Sequence, residues 1–312
     1  MTLLELGLHE NAEALMRDVA QHKLLYDCPG LYHGTAGVGL TSLAFFHRTQ
    51  DQYYLDFAVA SGDHLIEKAI SSSETCHWID QTRSGGEDSE LPFGLGYGAA
   101  GIALFFLHLY LTTQKDVFLK FGMSALQFEF SKANTTRLGG MSWPRNAERT
   151  QILYPYVDYG SAGIGMVALR YYAVVRKPEY IDVAKAIFLD MPKLSVFPGY
   201  SIGLSGVGQF LLDMWKFLEE ERYLNAAKTI ASSLKLFSIS RSTGMCFPGN
   251  GLSRLSCDFS TGSAGVALFL HRLVSSCDSP FMFDDLLSAG KELQPTRTDL
   301  SSDVCVGPLI VA

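Results

Sequence analysis

The chain has 312 residues, 47% hydrophobic and 18% charged, enough apolar surface to bury a large core and too much for a disordered segment. Its 25 Lys and Arg against 32 Asp and Glu leave a net charge of −7 with no run of like charges, which excludes a nucleic-acid footprint. The longest apolar stretch, Gly98 to Leu111, contains His108 and falls short of the roughly 20 residues a membrane helix takes, and the acidic start MTLLELGLHENAE does not read as a signal peptide.

In chain order, Leu3 to Lys23 reads as the returning helix of a unit whose first half lies upstream or is atypical. A pattern Gly-x-small-Gly-(Val/Ile)-(Gly/Ala) then occurs five times, opening at Gly34, Gly98, Gly160, Gly203 and Gly262. Each copy leads into an apolar segment of helical spacing, such as VGLTSLAFFHR or IALFFLHLYL. Seventeen residues after the second glycine, four copies place Tyr54-Leu55, Phe118-Leu119, Tyr180-Ile181 and Tyr223-Leu224, and four residues beyond each aromatic stands Ala58, Gly122, Ala184 or Ala227. That offset predicts an inner helix, a polar turn and a returning outer helix, packed closely at the small residue. In the fifth copy the offset falls on Met282-Phe283, so a degenerate outer helix is expected.

Three longer segments, rich in Ser, Gly and Pro, run into the glycine motifs and should emerge at the same rim as the inner-helix N-termini. Six scattered cysteines without C-x-x-C or C-x-x-H spacing read as reduced, mostly packing thiols of a cytoplasmic protein. The expected organisation is one domain over 1–293 and a tail over 294–312, whose Ser301, Ser302 and Cys305 read as a terminal extension or as substrate-like residues.

The segments GLYHGTAGVGL, FGLGYGAAGIALFFLHLY, YVDYGSAGIGMVALRYY, PGYSIGLSGVGQFLLDMW and FPGNGLSRLSCDFSTGSAGVALFL resemble the repeats of the lanthionine cyclase (LanC-like) superfamily over roughly residues 1–275. The last block and GGMSWP are most similar to the C-terminal cyclase domain of class III lanthipeptide synthetases, the lyase-kinase-cyclase enzymes. The resemblance implies an all-α fold, an α/α toroid of inner and outer helices. It further implies a bacterial cytoplasmic cyclase that adds cysteine thiols to dehydroamino acids of a lanthipeptide precursor peptide, with kinase and lyase domains as partners. The zinc-dependent branch of the superfamily holds its metal at positions matching Asp158, Ser201 and Ile202, and carries a histidine at the position of Tyr97. The expectation is therefore a cyclase without zinc or any other cofactor.

Thiol addition without a metal needs a thiolate, a site for the enolate and a proton donor. The candidate catalytic residues are His33, Tyr97, Asp158 and Tyr159, at or just before the first glycine of three copies. His33 reads as an acid or base, or as a helix-cap histidine. Tyr97 and Tyr159 read as donors to an enolate oxygen or as core tyrosines. Asp158 reads as a base or as the N-cap of an inner helix. Trp78, Asp80, Ser201 and Arg254 are the candidate substrate-binding residues, with Trp78 alternatively buried under its loop and Arg254 alternatively paired with Asp258. Two competing functions remain at this point. One is a non-catalytic module that binds the precursor or braces a kinase or lyase domain. The other, set apart from the resemblance, is a toroid glycosidase using Asp80 and Asp158 as its carboxylate pair.

Overall fold

All five Gly-x-x-Gly copies start a helix in the computed structural model, which describes residues 2–22, 24–80, 82, 91–148, 150–191, 195–242, 244–275, 281 and 284–289. The chain opens with α1 (Thr2–Glu5) and α2 (His9–Ala20), separated at Gly7, whose φ of 74° breaks the single helix expected there. Then come α3 (Thr35–Thr49), α4 (Gln52–Lys68), the ribbon β1 (Ile70–Ser71) and β2 (Cys76–His77), α5 (Ala99–Thr113) and α6 (Asp116–Ser131). The ribbon β3 (Asn134–Thr135) and β4 (Met141–Ser142) precedes α7 (Ser161–Val175), α8 (Pro178–Asp190), α9 (Leu204–Leu218) and α10 (Glu221–Leu234). A third ribbon, β5 (Ile239–Arg241) and β6 (Gly244–Cys246), leads to α11 (Ser263–Ser275) and the short α12 (Asp284–Ala289). The strands pair only within these antiparallel ribbons, and the fold is an all-α toroid.

The inner helices α3, α5, α7, α9 and α11 pack in succession, and α4, α6, α8 and α10 return along the outside of the first four. Composition decides the layers. Helix α5 is buried without interruption from Ala99 to Leu109, as an all-round apolar helix must be, whereas α10 buries only Tyr223, Ala227, Ile230 and Leu234 along one stripe. The aromatic at the fixed offset, Tyr54, Phe118, Tyr180 or Tyr223, is fully buried in every case. The small residue after it marks the closest approach. At Gly122 a Cβ would overlap the Tyr171 hydroxyl, which donates to Ala103 O at 2.8 Å. The four hairpin turns also share one conformation: Gln50, Gln114, Arg176 and Glu219 are left-handed, with φ from 57° to 62°, and each returns its N–H to the helix carbonyl four residues back.

The fifth unit departs from the repeat. Met282-Phe283 lies outside the described residues, as does the 294–312 tail. The helix that follows, α12, packs against α5 and α7 instead of returning along α11. Its direction has an electrostatic cause. Seven residues after the second glycine, copies three to five place Arg170, Asp213 and Arg272 on the inner faces of α7, α9 and α11, all buried. Arg170 donates to Asp213 at 2.7 Å and, through Nε and Nη2, to both oxygens of Asp284 at 2.7 Å, while Arg272 pairs with Asp213 at 2.7 Å. Two guanidinium groups and two carboxylates neutralise one another, and α12 is drawn inward to supply the fourth charge. His108 of α5 stands at the same level, its pKa pushed down to about 3 by burial and then by Arg170 and His47. Among the described residues no helix is long and apolar enough to cross a membrane.

Candidate functional site

The loop before each inner helix folds back over the helix start, and the motif glycines permit it. A Cβ on the second glycine would overlap the carbonyl of the residue six positions earlier, Leu31 for Gly37 and Tyr200 for Gly206, so only glycine lets the loop lie flat on the helix. The loops are then joined to one another by main-chain bonds. Tyr32 N–H donates to Gly96 O at 3.0 Å, Gly96 N–H to Asp158 O at 2.9 Å, Asp158 N–H to Ser201 O at 3.1 Å and Ser201 N–H to Ser260 O at 2.8 Å. These five residues occupy the same place, two before the first glycine of each copy. The rim is thus a hydrogen-bonded arc running through all five repeats.

Three side chains of that arc meet. The Tyr32 hydroxyl donates to Asp158 Oδ1 at 2.7 Å, and the Ser201 side chain stands beside both. Burial raises the Asp158 pKa, and the bond from Tyr32 and the proximity of Ser201 and His33 pull it back part of the way. Burial, and then the charge of Asp158, hold the Tyr32 hydroxyl well above its ordinary range, so Tyr32 is the donor of the pair.

One position nearer the helices lies an aromatic row. His33 Nε2 is 3.2 Å from the Tyr97 hydroxyl, the Tyr97 ring stacks on Tyr159 with centroids 4.7 Å apart, and the Arg145 guanidinium lies 4.6 Å from the Tyr159 ring centre. Tyr32 meets Tyr97 edge to face at 5.6 Å and so joins the row to the carboxylate. Behind Tyr97, Glu129 of α6 is fully buried and accepts from Gly94 N–H and Ala100 N–H at 3.2 and 3.1 Å, capping α5 from the outer layer. Burial pushes its pKa up to about 8 against the pull of these amides.

His33, Tyr97, Asp158, Tyr159 and Ser201 are therefore gathered at one rim, and Asp158 turns its carboxylate to Tyr32 and Ser201. The other three candidates are not brought there. Trp78 is 6% exposed and donates its indole N–H to Leu65 O at 2.7 Å, which fixes it in the core between α4 and α5. Asp80 accepts from Cys28 Sγ and from the backbone and side chain of Thr82, so its carboxylate ties a loop down. Arg254 is exposed, and Asp258 bonds Ser256 and Thr261 in place of it. The residue missed is Tyr32, and the signal for it is the alignment of the five residues two before the glycine.

A central cavity of about 430 Å³ lies below the arc. Tyr32, Tyr200 and Ser201 line its mouth, Met166, Gln209 and Leu268 its wall, and Arg272 and Phe281 its base. The donors at the positions where the resemblance places zinc ligands do not fit that metal. Asp158 offers one carboxylate already hydrogen-bonded to Tyr32, Ser201 a hydroxyl and Ile202 nothing. Among the described residues no three His, Cys, Asp or Glu side chains stand close enough to hold a metal.

The sequence profile described as "Lanthionine synthetase C-like protein" matches residues 2–123 and 87–286. A probable SapB synthase of Streptomyces coelicolor is 27% identical over 94% of this chain, and the chain spans 31% of that relative's length. Among solved structures, nisin cyclase shares the fold with a TM-score of 0.54 and 16% identity, over 92% of this chain and 74% of the other. A D-mannose isomerase does so with 0.51 and 13%, over 83% and 74%. The fold alone is thus common to proteins of different chemistry. Match of the family profile along nearly the whole length, with all five glycine motifs heading inner helices, establishes that the chain belongs to the lanthionine synthetase C-like family.

Proposed function

We propose that this chain is the cyclase domain of a class III lanthipeptide synthetase, closing thioether rings in a precursor peptide without zinc or any other cofactor. The observation that carries the reading is the Tyr32–Asp158–Ser201 cluster, which stands where the zinc-dependent branch places metal ligands and offers a base in their stead. Raised by burial, the Asp158 carboxylate moves toward the pKa of a thiol, which makes it a stronger base while Tyr32 keeps it oriented. It takes the proton of a peptide cysteine. The sulfur lone pair then bonds the β-carbon of a dehydroamino acid, and the alkene π pair moves to the carbonyl oxygen as an enolate. Hydrogen-bond donors of the Tyr97–His33 row and the inner-helix N-termini face that negative charge. The proton held on Asp158 returns to the α-carbon, so no atom is gained or lost beyond the new C–S and C–H bonds.

The 1–293 region acts as one cyclase unit, beside kinase and lyase domains in the bacterial cytoplasm. These partners rest on the class III resemblance and on the SapB synthase likeness over a third of that protein. The deciding measurement is mass spectrometry of a dehydrated precursor after thiol alkylation, comparing the wild type with Asp158→Asn. A buried general base lost to an amide lowers the ring-closure rate by about 10²–10⁴. An unchanged rate in the variant, or no acceleration over the spontaneous reaction by the wild type, leaves the chain as a precursor-binding module.

A further inference from the structure

The repeats form the wall and mouth of the central cavity and supply Arg272 at its base, but the other base residue, Phe281, comes from outside them. Moving down from the arc, the wall is met three residues after the second glycine, at Met166, Gln209 and Leu268, and the buried charges come one turn lower, at Arg170, Asp213 and Arg272. Phe281 lies over this charged layer, its ring centre 4.1 Å from the Arg170 guanidinium carbon, and faces the cavity. The residue that holds it is Asp284, three positions on, bonded to Arg170 through both oxygens. Phe281 is thus pinned from two sides, by the cation beneath its ring and by the ion pair that fixes α12. Without it, the cavity would open onto a layer of paired charges. With it, the lining of Met166, Leu268, Phe259, Tyr200 and Phe281 is apolar or aromatic over most of its surface.

We infer that Phe281 is a specificity-determining residue: it is the base of an apolar pocket beneath Tyr32 and Ser201 that receives a bulky apolar side chain of the peptide segment being cyclised. The inference rests on the cyclase reading, because Tyr32 at the pocket's mouth is the residue that donates to the proposed base, Asp158. The volume, about 430 Å³, is of the size that holds a side chain with its flanking backbone. A charged or strongly polar side chain would lose hydration against this lining without a free partner at the base, since Arg272 is engaged by Asp213 and Gln209. An apolar one gains by the area it buries. Pocket depth therefore selects by size.

The test uses two synthetic peptide series with Ala, Leu, Phe or Trp at one position between the reacting residues. One series carries dehydroalanine and cysteine, and its ring closure is timed by mass spectrometry. The other replaces the dehydroalanine by alanine, cannot react, and has its binding measured by calorimetry. Phe281→Ala deepens the pocket and should raise the Trp-to-Ala preference about tenfold, the discrimination a few methylenes confer in an apolar pocket. Leu268→Ala, which widens the same pocket from α11 and leaves the Asp284 ion pair intact, should move the preference in the same direction. Far-ultraviolet circular dichroism verifies that both variants stay folded. If no peptide is cyclised but the binding order shifts, the cyclase reading falls and the pocket stands. An order that is the same in all three proteins, or no measurable binding by any, overturns the inference.

Discussion

Replacing Gly122 by alanine tests the helix-on-helix contact that the repeat encodes. The added methyl would overlap the Tyr171 hydroxyl and lie 3.1 Å from its Cζ and 3.2 Å from Phe106 Cβ, so the tyrosine must move. Tyr171 is fully buried, and its displacement breaks the 2.8 Å bond to Ala103 O at a cost of about 1–3 kcal/mol. Overpacking adds about 1–3 kcal/mol, and the better helix propensity of alanine returns about 1 kcal/mol, which leaves a net loss of about 1–5 kcal/mol. Tyr171→Phe removes the colliding atom in advance. In the double variant the methyl meets only ring and methylene carbons that need give by a few tenths of an ångström, so the two losses should fall short of their sum by about 1–2 kcal/mol. Urea titrations of the wild type, both single variants and the double, followed by helical circular dichroism, supply the four free energies. Losses that simply add, within about 0.5 kcal/mol, would mean that the small residue is not set by this hydroxyl.

Two further outcomes concern titration. Tyr32→Phe removes a hydrogen bond that lowers the Asp158 pKa, so that pKa rises; because ring closure needs the carboxylate, the acid limb of the pH–rate profile should move to higher pH, whereas a change of rate with no shift of the limb would give Tyr32 a merely structural part. Glu129 is held at about 8 in the fold, above the ordinary 4.5, so the folded state keeps a proton that the unfolded chain gives up. Its contribution is fully present below pH 4.5 and is lost as the pH rises toward about 8, at up to about 1.4 kcal/mol per pH unit. Glu129→Gln, which keeps an oxygen acceptor for the two amides, should flatten that slope in urea midpoints measured across this range; an unaltered slope would place the proton elsewhere.

The periodic part of the molecule was written in its spacing. The glycine pairs head all five inner helices, and the aromatic and small residues seventeen and twenty-one positions on mark four outer ones, because each feature serves a local contact repeated at the same distance along the chain. The candidate residues fared according to the same rule. Those fixed by the motif, such as His33, Tyr97, Asp158 and Tyr159, came together at the rim. Trp78, Asp80 and Arg254 sit in loops of unequal length, where no period states which way a side chain turns. Tyr32 escaped because it is tyrosine where the other copies hold Gly96, Asp158, Ser201 and Ser260. Their kinship is one of backbone position and not of residue type. Phe281 and Asp284 follow the last repeat, so their role depends on partners more than a hundred residues away in Arg170.

The arc that ties the loops together uses main-chain atoms only, from Tyr32 through Gly96, Asp158 and Ser201 to Ser260. Peptide groups are alike whatever side chain they bear, so the frame stays the same when its lining is exchanged. A ligand set can be lost from such a frame, one residue at a time, without a matching loss of architecture, and a different set can be installed by the same route. In this chain the positions where the resemblance places zinc ligands hold aspartate, serine and isoleucine, and the loops still meet at 2.8 to 3.1 Å. Chemistry here is a removable insert in a permanent mount, which makes the rim a natural place for reactivity to be rewritten, by selection or by design, while the packing of inner on outer helices beneath it is left untouched.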